Sequence, residues 1–188
     1  GYGGSCFPKD TKALHWLGNY YDTEFKTIKA AIEVNDNQKL KLIKKARQYY
    51  DSLEGVRVAV LGLTFKPGTN DLREAPSILN VGILLDDGAE IFAYDPVAEA
   101  EFEMLYPGKL RYCRTPEEAL EGAELCLIFT EWPEIKGLTP EAFCRKMRRP
   151  VILDGRNCYP VEAFDSYPVI YNSIGRRTVQ NVEEKKDR

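Results

Sequence analysis

Residues 55 to 62, Gly-Val-Arg-Val-Ala-Val-Leu-Gly, open the stretch of sequence that decides the fold. An apolar strand is predicted over 56–61, and similar short runs return at 90–94, 125–130 and 151–153, with weaker ones near Arg111 and over 169–171. Helical patterns separate these runs at 76–86, 97–105, 116–120 and 140–147. Because continuous apolar strands that alternate with helices belong to sheets covered on both faces, the sequence predicts a parallel sheet with helices on each side.

The residues before this region predict helices. No Gly or Pro interrupts 24–50, and Phe25, Ile28 and Ile32 recur at the three- and four-residue spacing of an amphipathic helix. A shorter helix is expected to start near Lys9 and to run from about 10 to 17. The fold class is therefore α/β, with a long connecting helix followed by a Rossmann-like parallel sheet. The apolar stripe of the long helix needs a partner, either sequence absent from this chain or a second copy of the helix, and we expect a homodimer through residues 24–50.

The composition narrows the classes of function. The chain has 188 residues, of which 44% are hydrophobic and 29% charged, as in an ordinary globular protein. Its apolar runs are too short to cross a membrane, and its net charge of −3 argues against nucleic-acid binding. The basic residues from Lys39 to Arg47 are interpreted as a solvated helix face. One histidine and five cysteines without a CxxC pair predict no metal site and a reducing, cytoplasmic location.

The first eight residues, Gly-Tyr-Gly-Gly-Ser-Cys-Phe-Pro, predict an irregular turn with close backbone approach. Cys6 lies between the glycines of this turn and a helix start, where unpaired N–H groups and Lys9 would favour the thiolate. It is therefore a candidate nucleophile, although a small buried cysteine is an equal alternative. Asp10 could orient a water molecule or could only stabilise the first helical turn. His15 lies too far along the helix to serve Cys6 as a base and is interpreted as structural.

A second candidate site is the loop after the first predicted strand, residues 62–76. The loop lacks the GxGxxG spacing of a dinucleotide fingerprint, but it carries Lys66 and Arg73, two cations that could hold phosphates. Asp-Gly-Arg-Asn at 154–157 ends another predicted strand and brings Arg156 to the same sheet edge. Three cations at one edge favour an anionic ligand. The alternative is an exposed loop with solvated cations.

Together these segments resemble the UDP-glucose/GDP-mannose dehydrogenase family, from residue 1 to about 175. The first ten residues look like the catalytic cysteine loop of that family, and Gly-Leu-Thr-Phe-Lys at 62–66 with Asp-Leu-Arg-Glu-Ala-Pro-Ser at 71–77 looks like its nucleotide-sugar loop. Ala-Tyr-Asp-Pro at 93–96 and Asp-Gly-Arg-Asn are further signatures. With Thr-Glu-Trp at 130–132, the chain is most similar to bacterial members that act on UDP-glucose.

The resemblance implies that the C6 alcohol of UDP-glucose is oxidised to the carboxylate of UDP-glucuronate, with two NAD as acceptors. The intermediates would be a thiohemiacetal and then a thioester on the cysteine. Matching positions imply the following roles: Cys6 and Asp10 in catalysis; Gly3, Phe7, Phe65, Lys66 and Arg156 in substrate binding; Lys9 and Arg73 in contact with NAD.

The resemblance also implies a division of the chain. Residues 1–54 would form the cysteine loop and a helical dimerisation segment, 55–175 a UDP-sugar-binding domain, and 176–188 a polar tail. The amino-terminal NAD-binding domain of the family is not in this sequence, so we interpret the chain as the back part of a longer protein and expect it to be inactive alone. Two alternatives stay open: a non-catalytic nucleotide-binding and dimerisation module, and a dehydrogenase of another nucleotide sugar.

Overall fold

The computed structural model describes residues 1–182. The helices are α1 Cys6–Tyr20, α2 Lys26–Lys39, α3 Lys41–Ala46, α4 Pro76–Asp86, α5 Glu99–Glu103, α6 Pro116–Leu120, α7 Pro133–Lys136 and α8 Pro140–Lys146. The strands are β1 Arg57–Leu61, β2 Glu90–Tyr94, β3 Arg111–Tyr112, β4 Leu125–Ile128, β5 Val151–Asp154, β6 Ile170–Ser173 and β7 Val179–Gln180. A single 3₁₀ turn, Val161–Phe164, lies between β5 and β6.

The strands form one sheet in the order β3-β2-β1-β4-β5-β6-β7. Strands β1 to β6 pair in parallel, and β7 runs antiparallel to β6. The strand order reverses between β1 and β4, so the connections that leave these two strands diverge and open a crevice at their carboxyl ends. This mostly parallel sheet confirms the predicted α/β Rossmann-like class.

Each face of the sheet is covered by its own helices. Along β1, Val58 and Val60 point into one core, whereas Ala59 and Leu61 point into the other, as the two-residue period of a strand requires. The first core also contains buried side chains of α3, α4 and α5, and the second contains those of α6, α7 and α8. Burial on both faces explains why the strands read as continuous apolar runs.

The first helix begins earlier than predicted. It starts at Cys6, not near Lys9, and the expected irregular turn therefore covers only residues 1–5. Pro8 does not prevent this start, because backbone N–H groups in the first helical turn have no intrahelical acceptor. The helix also continues past Gly18 to Tyr20. A side chain at Gly18 would meet the ring of Phe25, because an added Cβ would lie 2.7 Å from Cδ2 of Phe25.

The single helix predicted over 24–50 is also wrong in detail, because two helices meet at Leu40. The Lys39 carbonyl, which a continuing helix would use internally, accepts a hydrogen bond from Asn80 Nδ2 at 2.8 Å. Each half then has its own packing: α3 buries Leu42 in the sheet core, and α2 contacts α1. The stripe that begins at Phe25 is half-buried and not fully exposed.

The predicted polar tail is partly structured. Val179 lies in β7 and is 3% exposed, which anchors this segment to β6. Arg176 donates hydrogen bonds to the carbonyl of Tyr159 and to the hydroxyl of Tyr171, each at 3.0 Å. Residues 183–188 of that predicted tail lie outside the described part of the chain. Within residues 1–182, no helix is both long enough and apolar enough to span a membrane.

Candidate functional site

The loops after β1, β4 and β5 meet at the carboxyl edge of the sheet. Gly62 has a φ of +82°, and an added Cβ there would lie 2.5 Å from the Cβ of Thr130. Only glycine combines this backbone conformation with such a close approach. The β1 and β4 loops are therefore in direct contact where the crevice opens.

The cysteine turn packs on the β1 loop. The Gly4 N–H donates a hydrogen bond to the Arg73 carbonyl at 2.8 Å, and an added Cβ on Gly4 would lie 2.8 Å from Cζ of Phe65. On Gly3, an added Cβ would come within 3.0 Å of both Phe65 and the backbone of Glu74. The two segments that resemble the cysteine loop and the nucleotide-sugar loop are thus joined in space, although more than fifty residues separate them.

We expect Gly4→Ala to cost more stability than Gly68→Ala. Both glycines have positive φ, 76° and 78°, so each substitution costs about 1 kcal/mol of backbone strain. Nothing lies within 4 Å of an added Cβ at Gly68, whereas Gly4 would also displace the Phe65 ring, at a further cost of about 1–3 kcal/mol. Denaturant unfolding measures both variants. Equal losses would show that the turn is not packed tightly on Phe65.

Cys6 is the first residue of α1, and its side chain is exposed. Its sulfur lies 3.7 Å from the hydroxyl oxygen of Ser5. Because the helix starts here, Lys9 and Asp10 stand three and four residues further along and share its face with Cys6. Lys9 Nζ is 3.2 Å from Asp10 Oδ1 in an exposed ion pair. Phe7 is also exposed, at 69%.

The two cations of the β1 loop have different surroundings. Arg73 pairs with Asp71 through two hydrogen bonds, from Nε to Oδ1 at 2.9 Å and from Nη2 to Oδ2 at 2.7 Å. These bonds raise the pKa of Arg73 and lower the pKa of Asp71, and the nearby Cys6 side chain also raises the pKa of Arg73. Lys66 is exposed, with Nζ 5.4 Å from the ring centre of Phe65. Arg73 is therefore paired within its own loop, whereas Lys66 lies near the ring of Phe65.

Arg156 is held by the carboxylate of Glu131, a residue of the Thr-Glu-Trp motif to which the sequence assigned no role. Its Nη2 donates to Glu131 Oε1 at 2.6 Å, and its Nε donates to the other oxygen, so the pair is bidentate. Burial alone would raise the pKa of Glu131, but the hydrogen bond and charge of Arg156 outweigh it and leave that pKa lowered. The Arg156 N–H also donates to the buried Asp154 at 2.8 Å. Arg156 is therefore fixed in direction before any ligand binds.

A cleft of about 60 Å³ opens beside Arg156. Its walls include Tyr2 from the cysteine turn, Leu42 from α3 and Phe129 from the end of β4. Lys66 is not among the residues that line it, so the structure brings Lys66 and Arg156 to one edge without placing them in one pocket. A larger groove of about 440 Å³ follows α4 and contains none of the candidate site residues.

Glu74 connects this loop to the helices. It has a φ of +58°, and its carboxylate bonds Lys12 of α1 at 3.0 Å and Lys39 of α2. Lys39 is only 13% exposed, so the interpretation of its basic run as a solvated face is wrong for this residue. The hydrogen bond from Lys39, and then that from Lys12, lowers the pKa of Glu74. A three-way contact between segments this far apart leaves no periodic signal in the sequence.

We expect Glu74→Gln to lower the free energy of unfolding by about 1 kcal/mol at neutral pH. Because the folded-state pKa is lowered, this contribution is present above the ordinary carboxyl pKa of about 4 and is lost as the pH falls through the lowered value. The difference between wild type and variant should therefore shrink in acid. The control is Glu121→Gln, which removes an exposed pair with Lys146 and should change little. A difference that stays constant down to low pH would contradict this role of Glu74.

No metal centre is found among residues 1–182, since no group of three or more His, Cys, Asp or Glu side chains is arranged to hold an ion. All five cysteines are free. The groups at this edge are an exposed thiol, several cations and four carboxylates in ion pairs, those of Asp10, Asp71, Glu74 and Glu131.

Comparison with known families gives two matches. Residues 59–161 match the UDP binding domain of the UDP-glucose/GDP-mannose dehydrogenase family, and residues 1–37 match the central domain of the same family. The first match includes most of β1, all of β2 to β5 and the three loops of the candidate site. The second includes the cysteine turn, α1 and most of α2.

Individual relatives agree with this assignment. A UDP-glucose 6-dehydrogenase of Bacillus subtilis, YwqF, is 42% identical over 95% of the chain. The solved UDP-glucose dehydrogenase of Pyrobaculum islandicum covers 92% of the chain with 33% identity and a TM-score of 0.78. An NDP-N-acetyl-D-galactosaminuronic acid dehydrogenase from Methanosarcina mazei covers 94% with 25% identity and a TM-score of 0.78.

The chain spans 41% of the Bacillus subtilis protein and 37% of the Pyrobaculum islandicum chain. More than half of the chain matches the UDP binding domain, and the matched residues are those that build the edge where the cysteine turn meets the β1 loop. The chain belongs to the UDP-glucose/GDP-mannose dehydrogenase family.

Proposed function

We propose that the chain supplies the nucleotide-sugar site and the catalytic cysteine of an NAD-dependent UDP-glucose 6-dehydrogenase. The observation that carries this proposal is the contact of Gly4 with Arg73 and Phe65, because it joins the candidate nucleophile to the candidate nucleotide loop. The family match and the relatives that are named UDP-glucose dehydrogenases support the choice of UDP-glucose as substrate. We call the protein in which this chain is joined to an NAD-binding domain the complete enzyme.

In this proposal UDP binds along the carboxyl edge of the sheet. Phe65 and Lys66 hold the pyrophosphate region from the β1 loop, and Arg156 contacts the nucleotide from the β5 loop. Phosphate oxygens accept charge-assisted hydrogen bonds from both kinds of cation, and the planar fork of arginine adds direction. The backbone at Gly3, which lies against Phe65, and the exposed ring of Phe7 then border the sugar, close to Cys6.

The proposed chemistry uses Cys6 in two stages. Its thiolate adds to the C6 aldehyde that the first oxidation produces, which forms a carbon–sulfur bond and a thiohemiacetal. A second oxidation removes the C6 hydrogen as hydride and the hydroxyl hydrogen of the thiohemiacetal as a proton, and leaves a thioester. Water then adds to the thioester carbonyl, the carbon–sulfur bond breaks, and the thiol and the carboxylate are released. Asp10, on the same helical face as Cys6, positions that water.

The described residues do not form a cradle for NAD. The β1 loop lacks the glycine spacing of a dinucleotide site, and Lys9 and Arg73 are exposed and paired with acids. We propose that these two cations contact NAD from the edge of a site that another domain completes. When bound there, NAD would supply the hydride acceptor for both oxidations. The free thiols agree with the cytoplasmic location that we propose.

The experiment that tests this function measures NADH absorbance with the complete enzyme. We expect two NADH per UDP-glucose, and much slower turnover with UDP-N-acetylglucosamine or GDP-mannose. Faster turnover of either competitor would reassign the substrate within the family. No NADH with any of the three sugars would leave a non-catalytic binding module as the better description.

We also propose that the enzyme is a homodimer through the α1–α2 hairpin, which extends the expected dimer helix to include α1. Trp16 and Tyr20 stack at 5.3 Å and are 63% and 66% exposed, and Val34 on α2 is 67% exposed. Trp16→Ala with Tyr20→Ala should weaken the dimer by about ten- to a hundredfold, because aromatic side chains dominate interface energies. Light scattering across concentrations tests this, with Met104→Ala as the exposed control. A monomeric wild-type enzyme would contradict it.

A further inference from the structure

Asp95 follows β2 and is a buried carboxylate that collects hydrogen bonds from separate loops. It is 7% exposed. Its Oδ2 accepts from the Leu63 N–H at 2.7 Å, from the Thr64 N–H at 3.3 Å and from Trp132 Nε1 at 3.0 Å. One oxygen atom thus bonds the loop after β1 and the loop after β4.

The second oxygen fixes the residue itself. Oδ1 accepts from the N–H groups of Val97 and Ala98, each at 3.1 Å, which closes the turn after β2. No ion pair to Asp95 is found among residues 1–182, so these N–H groups are its recorded partners. The backbone and indole donors fix the position of the buried carboxylate. The carboxylate in turn fixes the loops that carry these donors.

The peptide units next to Asp95 are fixed from their other side as well. The Leu63 carbonyl accepts a hydrogen bond from Ser77 Oγ, and the Thr64 carbonyl accepts one from Thr130 Oγ1. Both residues are therefore bonded through N–H and C=O. Their positions set the direction in which the chain leaves the sheet.

The two segments that Asp95 bonds are those that lead to the proposed nucleotide contacts. Leu63 and Thr64 directly precede Phe65 and Lys66. Trp132 directly follows Glu131, which holds Arg156 in the bidentate pair. A change at Asp95 would therefore affect both the loop with Phe65 and Lys66 and the loop with Glu131. Asp95 itself is not among the residues that line the cleft beside Arg156.

This arrangement differs from that of a dinucleotide-binding domain. There, an acidic residue that follows the glycine-rich turn accepts hydrogen bonds from a ribose hydroxyl. Asp95 follows the second strand, but its oxygens are occupied by five N–H donors from the protein. The carboxylate that could bind a ligand is used here to hold loops.

We propose that Asp95 is a positioning residue that fixes the Phe65–Lys66 loop and the Glu131–Trp132 loop relative to each other, and so sets the affinity of the site for a nucleoside diphosphate. Its role in affinity rests on the proposed function. Its role in loop geometry does not need a ligand and is tested separately.

The test compares Asp95→Asn, Trp132→Phe and Leu120→Ala in the 188-residue chain. Asp95→Asn keeps the shape but turns an amide NH₂ toward N–H donors, whereas Trp132→Phe removes a single donor. Leu120→Ala is the control for general destabilisation, because this buried residue ends α6 ahead of β4, at the amino edge of the sheet. Amide hydrogen exchange follows residues 62–75 and 130–133, and calorimetry gives the UDP dissociation constant.

For Asp95→Asn we expect faster exchange in both segments and a UDP dissociation constant raised about tenfold or more. Trp132→Phe should raise exchange mainly at 130–133 and raise the constant about threefold, so it carries the test if Asp95→Asn does not fold. Unchanged exchange in the two variants, or an equal change in Leu120→Ala, would overturn the positioning role. Wild-type chain that fails to bind UDP would instead refute the proposed function, while the exchange data still decide the role of Asp95 in loop geometry.

Discussion

Cys6→Ala in the complete enzyme is expected to lower formation of UDP-glucuronate by a factor of roughly 10⁴ or more, the scale seen when a covalent nucleophile is removed. The exposed Cys6 side chain at the start of α1 stands beside the turn that packs on Phe65, and no other cysteine is exposed. Without the thiol, no carbon–sulfur bond can form, and the second oxidation loses its substrate.

The measurement for this variant is the yield of sugar acid by mass spectrometry, together with the NADH released per UDP-glucose. Cys144→Ala is the control, because Cys144 is a half-buried free thiol on α8 and should be dispensable. The intact protein should show no sugar adduct in Cys6→Ala. Undiminished acid formation by that variant would remove Cys6 from the mechanism.

The second large effect concerns the cations that we propose bind UDP. Arg156→Ala and Lys66→Ala should each weaken UDP binding by about ten- to a hundredfold, because a charge-assisted hydrogen bond contributes about 1.5–3 kcal/mol. Arg156→Ala has an additional cost, since it leaves the half-buried Glu131 carboxylate without its partner and next to the phosphates. The UDP affinity of Arg156→Lys should lie between those of the wild type and Arg156→Ala, because lysine keeps the charge and loses the planar fork.

Salt dependence separates the two cations. Lys66 is exposed, so its contribution should fall strongly as ionic strength rises, whereas that of the half-buried Arg156 should fall less. Arg148→Ala is the matched control, since Arg148 forms an ion pair with Glu124 at the amino edge of the sheet. Calorimetry that gives the wild-type affinity for both Arg156→Ala and Lys66→Ala would refute this assignment.

Much of the fold could be predicted from the sequence, because its signals are local. The bounds of β2, α4 and α6 are as predicted, since a short apolar run or a proline at a helix start marks each of them. The break at Leu40 could not be predicted. It depends on Asn80, forty residues further along the chain, whose side-chain amide donates a hydrogen bond to the Lys39 carbonyl.

In the candidate site, too, contacts between distant segments could not be predicted. Cys6, Phe65, Lys66 and Arg156 could be proposed from motifs, and the structure places the cysteine turn against the Phe65 loop. Glu131, Glu74 and Asp95 lie within the quoted motifs, but their roles could not be predicted, since they act through contacts between distant segments. The sequence offered Lys66, Arg73 and Arg156 as cations for an anionic ligand, whereas in the structure Arg73 and Arg156 are each paired with a carboxylate. In the proposed site, UDP would therefore add to or replace the ion pair between Arg156 and Glu131.

We propose that this chain alone forms a site in which a nucleotide sugar lies beside Cys6. The most direct measurement is the rate at which iodoacetamide alkylates Cys6 in the 188-residue chain, followed by mass spectrometry with Cys144 as the internal reference. UDP-glucose at saturation should slow alkylation of Cys6 about tenfold or more, in proportion to site occupancy, and should leave Cys144 unchanged. UDP without the sugar should protect Cys6 less, and Lys66→Ala should shift protection to higher UDP-glucose concentrations. Alkylation of Cys6 at the same rate with and without saturating UDP-glucose would show that the nucleotide sugar does not lie beside Cys6.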